Sequence, residues 1–257
     1  MSIVTLTTDW AKDDYYIGAV KGSLYSNCDD VTVVDISHKV KPFNTFQAAF
    51  ILKHCFSYYP KGTVHIIGVN ADKTEKQNYV IAEFNKSFFI GTDNGIFSLL
   101  FKTKDDVNYY KIDKIKPSTF PVLDIFCRVA CKLVKGNRIN TFASPIKSIE
   151  RKVPLRATIE DNVITGGIVY IDSYQNAITN VSKDIFARVG LGKPFKIYVQ
   201  SNHHVISKIN TSYQETSVGE LLAIFNSLGL LEIAINGGNA AELLNLDTSS
   251  SVRIRFS

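Results

Sequence analysis

Residues 1–18 read MSIVTLTTDWAKDDYYIG, and this stretch decides the fold. The apolar run Ile3–Leu6 predicts a buried strand, and two threonines then lead to three aspartates, Asp9, Asp13 and Asp14. The segment DYYIGAVKGSLYS that follows has apolar residues at helical spacing. Strand, acidic turn and helix predict the first unit of an α/β sheet. Asp9 then lies at the carboxyl end of the first strand, where such sheets bind ligands.

The first half of the chain continues this alternation. VTVVDI and TVHIIGVN predict strands, YVIAEF and SFFIG predict a hairpin, and NTFQAAFILKHCFSYY and DIFCRVACKLVKG predict helices. We therefore expect an N-terminal α/β domain at residues 1–152, with a mostly parallel sheet flanked by helices.

Short strands dominate beyond about residue 150. They are ITGGIVYID, AITNVS, FKIYVQ, VISKINTSY and VRIRFS, with one short helical stretch at VGELLAIFNS. This pattern predicts a smaller, all-β, barrel-like C-terminal domain at residues 158–257.

Charge and cysteine content narrow the function classes. The net charge is +5, but the 29 basic residues are scattered, so no nucleic-acid partner is expected. The sequence shows no signal peptide and no run of 18 apolar residues, which predicts a cytoplasmic protein that does not bind membranes. In that compartment Cys28, Cys55, Cys127 and Cys131 are expected to be reduced thiols.

Polar residues at predicted strand ends are the candidate site in the first half. Asp9 could hold two ribose hydroxyls or cap the following helix, and Asp14 suits a first helical turn. Asp35 and His38 suit a hydrogen-bonded structural pair better than a metal site, which would need a third ligand. Asn70 follows the third strand as Asp9 follows the first.

The second half offers two further polar groups. Asp172, Tyr174 and Asn176 alternate, so an extended segment would place them on one face, where they suit a purine and a cation. The alternative is a turn between two strands. Ser227 and Glu232 could serve a zwitterionic ligand.

Seven segments, in order, resemble the S-adenosylmethionine hydroxide adenosyltransferases, relatives of the bacterial fluorinase and chlorinase. They are TLTTDWAKDDYYIGAVKG, DISHKVKPFNTFQAAF, PKGTVHIIGV, GTDNGIFS, STFPVLDIF, GGIVYIDSYQNAITN and NSLGLLEIAINGGNAA. The resemblance covers nearly the whole chain. It implies an α/β domain followed by a β-barrel-like domain, a homotrimer, and S-adenosylmethionine bound between subunits. Hydrolases of this family use water to displace methionine from ribose C5′, with no metal or other cofactor.

The resemblance also implies roles for residues in the first half. Asp9 matches the carboxylate that holds the ribose hydroxyls, and Phe43 matches an aromatic residue beside the ribose. Asp14 and Tyr16 match positions that line the methionine amino group.

The matches in the second half divide between the two ends of the ligand. Asp172 and Ser227 match positions at the methionine end. Tyr174 and Asn176 match the aromatic residue and the amide that contact adenine, and Gly237 matches a backbone contact to adenine.

The chain departs from the family where water is activated. Family hydrolases carry Asp, Arg and His, whereas this chain has Asn70-Ala71-Asp72 in the first segment and Pro121-Val122-Leu123-Asp124 in the second. We expect Asn70 to orient the water. The alternatives are a protein that binds S-adenosylmethionine or adenosine without turnover and a halide-dependent transferase. The second is less favoured, because Asn70 and Val122 stand where the halogenating relatives surround the halide with Tyr, Thr and Ser.

Overall fold

The computed structural model describes residues 2–102, 105–201 and 203–257. The chain forms two compact units, residues 1–154 and 155–257. The expected domains, 1–152 and 158–257, stay a prediction, because compactness alone does not show that each part folds independently. No helix in the described ranges has the length and apolar character that a bilayer span requires.

The first unit is built on a seven-stranded sheet, counted over its described residues, with the order β2-β1-β3-β5-β4-β6-β7. Its strands are β1 (Ser2–Thr8), β2 (Val31–Ser37), β3 (Val64–Gly68), β4 (Tyr79–Phe84), β5 (Ser87–Thr92), β6 (Asn108–Ile112) and β7 (Ala143–Ile146).

This sheet is mixed, so the prediction of a mostly parallel sheet was wrong. β1 pairs in parallel with β2 and β3, and β3 pairs in parallel with β5. The pairs β4–β5, β4–β6 and β6–β7 are antiparallel. The reversal follows from the tight turn Asn85-Lys86, whose φ angles of 51° and 63° suit a two-residue hairpin. A hairpin this short can join only antiparallel strands.

Helices cover both faces of the sheet in the first unit. The helical segments are α1 (Tyr15–Asn27), α2 (Thr45–Lys53), α3 (Ile96–Leu100), α4 (Cys127–Val134), a π-helical turn at Val122–Phe126, and short 3₁₀ turns at Phe56–Tyr58 and Ile139–Thr141. One core joins α1 and α4 to one face, and a second joins α2 and α3 to the other. The sheet is therefore a buried central layer, and its loops are left to form the site.

A disulfide bond links Cys28, at the end of α1, to Cys131 on α4. The expectation of four reduced thiols was therefore wrong for this pair. The two residues are 103 positions apart in sequence, and only the packing of α1 against α4 brings them together. Cys55 and Cys127 are free thiols.

The second unit holds nine strands in its described residues, in the order β12-β11-β16-β9-β10-β15-β14-β13 with β8 paired to β9. They are β8 (Thr158–Glu160), β9 (Val163–Ile171), β10 (Ala177–Ser182), β11 (Phe195–Val199), β12 (Val205–Ile206), β13 (Ile209–Asn210), β14 (Leu221–Phe225), β15 (Leu230–Ile235) and β16 (Ser251–Phe256). The sheet curls until β12 approaches β14, so it is nearly barrel-shaped.

The prediction of an all-β second unit missed its helices. α5 (Lys183–Gly190) and α6 (Ala240–Leu243) lie in this unit, with a 3₁₀ turn at Tyr213–Glu215. The Ser182 hydroxyl caps α5 by accepting a hydrogen bond from the Ile185 amide at 3.2 Å. The helix predicted at VGELLAIFNS is instead strand β14, because pairing with β15 outweighs the helical spacing of this short apolar run.

Candidate active site

Asp9 joins two loops of the first unit through one carboxylate oxygen. Its Oδ2 atom accepts hydrogen bonds from the amide of Phe43, at 2.8 Å, and from the amide of Asn70, at 3.2 Å. The structure thus brings together three residues that the sequence singled out from separate segments. The other oxygen, Oδ1, accepts no hydrogen bond from the described residues. Asp9 therefore keeps one acceptor for a ligand.

Both loops held by Asp9 have unusual backbone geometry. Phe43 has a φ of 64° and Asn70 a φ of 46°, in the left-handed region. This region is strained for a bulky aromatic residue and is tolerated better by asparagine. The Phe43 ring is also 72% exposed, so burial does not hold it in place. Such strain persists where the surroundings fix it, and Asp9 supplies that restraint.

Asn94 and Thr92 hold the Val69–Ala71 loop from its other side. The Asn94 amide donates to the carbonyl of Asn70 at 2.9 Å and to that of Val69 at 3.3 Å. The Thr92 hydroxyl donates to the carbonyl of Ala71. Asn94 is almost fully buried. The sequence marked its segment, GTDNGIFS, only as a loop, and nothing in a single sequence shows that Asn94 supports the loop after β3.

A chain of polar contacts anchors the strand end that precedes Asp9. The Thr8 hydroxyl lies 2.7 Å from His38 Nδ1, His38 Nε2 lies 3.0 Å from Asp35, and Lys21 Nζ lies 2.5 Å from the same carboxylate. Burial favours a raised pKa at Asp35, but the bonds from Lys21 and His38 outweigh it and lower the pKa. The structural pairing of Asp35 with His38 is confirmed. Among the described residues, no cluster of three His, Cys, Asp or Glu side chains could hold a metal.

The cap of α1 is Asp14. Its carboxylate accepts a hydrogen bond from the Tyr16 amide at 3.4 Å. The capping alternative weighed for Asp9 therefore belongs to Asp14. The Tyr16 ring packs 5.7 Å from Trp10 and 4.9 Å from Phe120, between ring centroids. Asp14 and Tyr16 thus lie beside the acidic turn, and their predicted contacts with a methionine amino group stay predictions.

The second unit places Asp172, Tyr174 and Asn176 in the turn between β9 and β10. Asp172 Oδ1 accepts from the amides of Tyr174 and Asn176, and Oδ2 accepts from the Asn176 side chain at 3.2 Å. The turn alternative is correct, because Asp172 folds the segment back on itself. Tyr174 is left 77% exposed, whereas Asn176 is buried. The exposed ring is available to stack against a ligand.

Ser227 and Gly237 lie at opposite ends of β15. Ser227 is exposed in the turn between β14 and β15, and Gly237, with a φ of 65°, follows the end of β15. The β9–β10 turn lies at the Gly237 end, since Ala177 pairs with Ile233. A ligand that touches both ends must therefore extend along this strand.

Glu232 does not face an open site. It is buried on β15, where it accepts hydrogen bonds from the Tyr213 hydroxyl at 2.7 Å and the Asn226 amide at 2.9 Å. Burial raises the pKa of Tyr213, and the bond to Glu232 and the charges of Glu232 and Asp172 raise it further. Tyr213 stays a neutral donor, and Glu232 acts as internal support rather than as a ligand contact.

The second segment that departs from the family forms the π-helical turn at Val122–Phe126. This turn packs against the strand that leads to Asn70, because a methyl group at Gly68 would lie 3.0 Å from Trp10 and 3.2 Å from Val122. Asp124 accepts a hydrogen bond from the Ser118 hydroxyl at 2.6 Å. Single-turn π-helices are frequent at functional sites. The signal for this one was the Pro121 that replaces the family histidine.

Models of the N-terminal and C-terminal domains of the S-adenosylmethionine hydroxide adenosyltransferases match residues 4–143 and 166–253. The chain belongs to this family. A protein from Methanocaldococcus jannaschii named (R)-S-adenosyl-L-methionine hydrolase is 27% identical over 100% of this chain and 97% of its own length. One of the same name from Thermus thermophilus is 25% identical over 99% of this chain and 100% of its length. A fluorinase from Actinopolyspora mzabensis is 23% identical over 98% and 96%.

Solved structures share the fold of this family member. The crystal structure of an uncharacterised conserved protein from Thermotoga maritima superposes with a TM-score of 0.86 at 24% identity, covering 98% of this chain and 99% of that one. The crystal structure of a conserved hypothetical protein from Thermus thermophilus gives a TM-score of 0.76 at 26% identity, over 99% and 100%.

Proposed function

We propose that this chain hydrolyses S-adenosylmethionine to adenosine and L-methionine. The observation that carries the proposal is the Asp9 carboxylate, which ties Phe43 to Asn70 and keeps Oδ1 for a ligand. A carboxylate oxygen there suits the ribose hydroxyls, and a bond to a charged acceptor is stronger than a neutral one. Full-length similarity to proteins named (R)-S-adenosyl-L-methionine hydrolase supports the same activity.

The reaction places modest demands on the protein. The water oxygen forms a bond to C5′ while the C5′–S bond breaks, and its electron pair stays on sulfur. Methionine departs with a neutral thioether, so no general acid is needed, and the water releases one proton to solvent or to a nearby base. Catalysis then depends chiefly on in-line positioning, which can contribute about 7–11 kcal/mol in favourable cases.

We assign the orientation of the water to Asn70. Its backbone is fixed by Asp9 on one side and by Asn94 on the other, which supports a defined position for its side chain. An amide can accept or donate a hydrogen bond to water but cannot take up its proton. Asp72, two residues further on, is the nearest carboxylate in the sequence that could serve as a base.

The remaining site residues complete the proposed ligand contacts. In this proposal Tyr174 stacks on adenine, with Asn176 and Gly237 at its edge. Asp172 and Ser227, with Asp14 and Tyr16 of the first unit, serve the methionine end. The exposed Tyr174 ring and the extended spacing from Gly237 to Ser227 support this division.

We extend the proposal to assembly and location. The homotrimer implied by the resemblance would provide the sites between subunits, and the protein would act in the cytoplasm without a metal or other cofactor. Disulfides are rare in reducing compartments. Cys28 and Cys131 are only 4% and 5% exposed, and this burial would protect their bond from reductants.

A second candidate function is binding without turnover. It is favoured by Asn70 and Pro121, which stand where family hydrolases carry Asp and His. Such a protein would bind S-adenosylmethionine or adenosine and release it unchanged.

One experiment separates the two candidates. Purified protein is incubated with S-adenosylmethionine, adenosine is followed by chromatography, and affinity for adenosine is measured by calorimetry. We expect adenosine to accumulate above the enzyme-free blank. Saturable binding without adenosine formation at high protein concentration would establish the binding protein and reject the hydrolase. Neither binding nor turnover would reject both.

A further inference from the structure

A cavity of about 380 Å³ lies in the first unit, between the segment that follows β6 and one side of α4. We call it the basic cavity; it is lined by residues 112–118, by parts of residues 124–132 and by Phe142. Its volume falls in the range of small-molecule sites, about 300–1,000 Å³. None of the residues assigned above to the adenosyl ligand lines it.

Four cations surround this cavity. Arg128 and Lys132 lie four residues apart on α4, so they project from the same face of the helix. Lys114 and Lys116 line the opposite wall, and Lys114 sits at a φ of 51°. Side chains from two separate segments therefore converge on one volume.

The positive charge in the basic cavity is not neutralised from within. Its two carboxylates, Asp113 and Asp124, accept hydrogen bonds at 2.6 Å from the hydroxyls of Ser144 and Ser118. In the described part of the chain no carboxylate lies within 4.0 Å of a nitrogen of any of the four cations. Concave walls with an excess of one charge attract ligands of the opposite charge.

The floor of the cavity is apolar. Ile112, Ile125, Val129 and Phe142 line it, and each is less than 9% exposed. The Lys132 ammonium lies 5.0 Å from the centroid of the Phe142 ring, which keeps this cation over the floor. Cations above buried aliphatic and aromatic carbon suit a ligand with an anionic end and an apolar body.

We propose that the basic cavity binds a small organic phosphate. Arg128 offers the planar, forked donor geometry that matches phosphate oxygens, and the three lysines supply further charge for a dianion. The apolar body of the ligand rests on Val129 and Phe142. This site is independent of the proposed hydrolysis, because it uses neither Asp9 nor Asn70.

The test uses phenyl phosphate and inorganic phosphate as probes, titrated into the full chain by calorimetry. We expect saturable binding of both, with phenyl phosphate at least fivefold tighter because its ring contacts the floor. Affinity should fall as salt is added. No saturable binding of either probe at millimolar concentration would overturn the proposal. Equal affinity for both would overturn the assignment of an apolar body.

Two matched variants locate the binding. Arg128→Gln should weaken phenyl phosphate binding at least tenfold, whereas Arg188→Gln, an exposed arginine on α5, should leave it unchanged. Both should keep the circular dichroism spectrum and melting temperature of the parent, since both side chains are exposed. Equal loss in the two variants would show diffuse charge attraction and overturn the site. Loss of adenosine formation would instead bear on the proposed function.

Discussion

One carboxylate oxygen fixes the relative position of two strained loops. Asp9 follows a buried strand and accepts two amide hydrogen bonds, while Phe43 and Asn70 adopt positive φ angles in that geometry. The residue therefore has a structural task as well as the ligand-binding task predicted for it. The two tasks can be separated by substitution, because an amide oxygen accepts hydrogen bonds without carrying charge.

Asp9→Ala should weaken adenosine binding at least tenfold and lower the melting temperature. Charge-assisted hydrogen bonds contribute about 1.5–3 kcal/mol each, and the variant loses those to the ribose and to both loops. Asp9→Asn should recover part of the melting temperature but little of the affinity. Calorimetry and thermal unfolding measure the two effects.

Asp13→Ala is the matched control, because Asp13 is an exposed aspartate of the same turn. It should change neither property. Unchanged adenosine affinity in Asp9→Ala would show that Asp9 does not bind the ribose.

His65 makes stability depend on pH. Burial lowers its pKa to about 4, whereas an unfolded histidine titrates near 6.5. The unfolded chain therefore binds the proton first, and the free energy of unfolding falls as pH drops from about 6.5 to about 4. The loss attributable to His65 should be about 2–4 kcal/mol over this window.

Urea unfolding at several pH values measures this slope. His65→Gln should flatten the slope between pH 6.5 and 4, even where its absolute stability is lower. His204→Gln, at an exposed histidine, should leave the slope unchanged. The same slope in His65→Gln and the parent protein would contradict the assignment.

At the scale of elements, the loop after β3 is the best-supported part of the site. Asp9, Thr92 and Asn94 hold it from two neighbouring strands, β1 and β5. This loop carries Asn70, to which we assign the water. Its rigidity is what preorganisation of a reacting water requires.

Asn94→Asp should disturb this loop with little change in side-chain volume. The new carboxylate oxygen would face the carbonyls of Val69 and Asn70, to which the amide now donates, at a cost of about 1–3 kcal/mol in the free energy of unfolding. Adenosine formation should fall with it. The exposed Asn162→Asp is the control. Full activity and stability in Asn94→Asp would contradict the role of Asn94.

The disulfide links α1 to α4 across 103 positions of sequence. Closing a loop of about 100 residues restricts the unfolded chain by about 4–5 kcal/mol, although measured effects are commonly smaller. The double variant Cys28→Ser, Cys131→Ser should therefore lose about 2–5 kcal/mol in urea unfolding. Cys55→Ser, at a free thiol, should lose little. Four reactive thiols in the denatured, unreduced parent protein would contradict the bond.

The elements differ in how far the sequence alone could predict them. β1, α1 and the β4–β5 hairpin were accessible, because strand, cap and turn signals are local. The mixed sheet was not, since the direction of a strand depends on which neighbour it pairs with. β14 was mistaken for a helix because its five apolar positions fit either period. Cysteine pairing and the support from Asn94 depend on contacts distant in sequence.

At the scale of the whole molecule, the chain carries two groups of candidate ligand contacts on two compact units. Asp9, Phe43 and Asn70 meet in the first, and Asp172, Tyr174 and Asn176 meet in the second. Membership of the family is established over both units. What distinguishes this member is that Asn70 and Pro121 stand where the family carries water-activating residues.

The most direct test of the account is the origin of the 5′ oxygen of adenosine. Purified protein is incubated with S-adenosylmethionine in water enriched in ¹⁸O, and the products are analysed by mass spectrometry. We predict adenosine and methionine in equal amounts, with ¹⁸O in the 5′-hydroxyl and none in methionine. Absence of adenosine above the blank, or adenosine without ¹⁸O, would contradict attack of water at C5′.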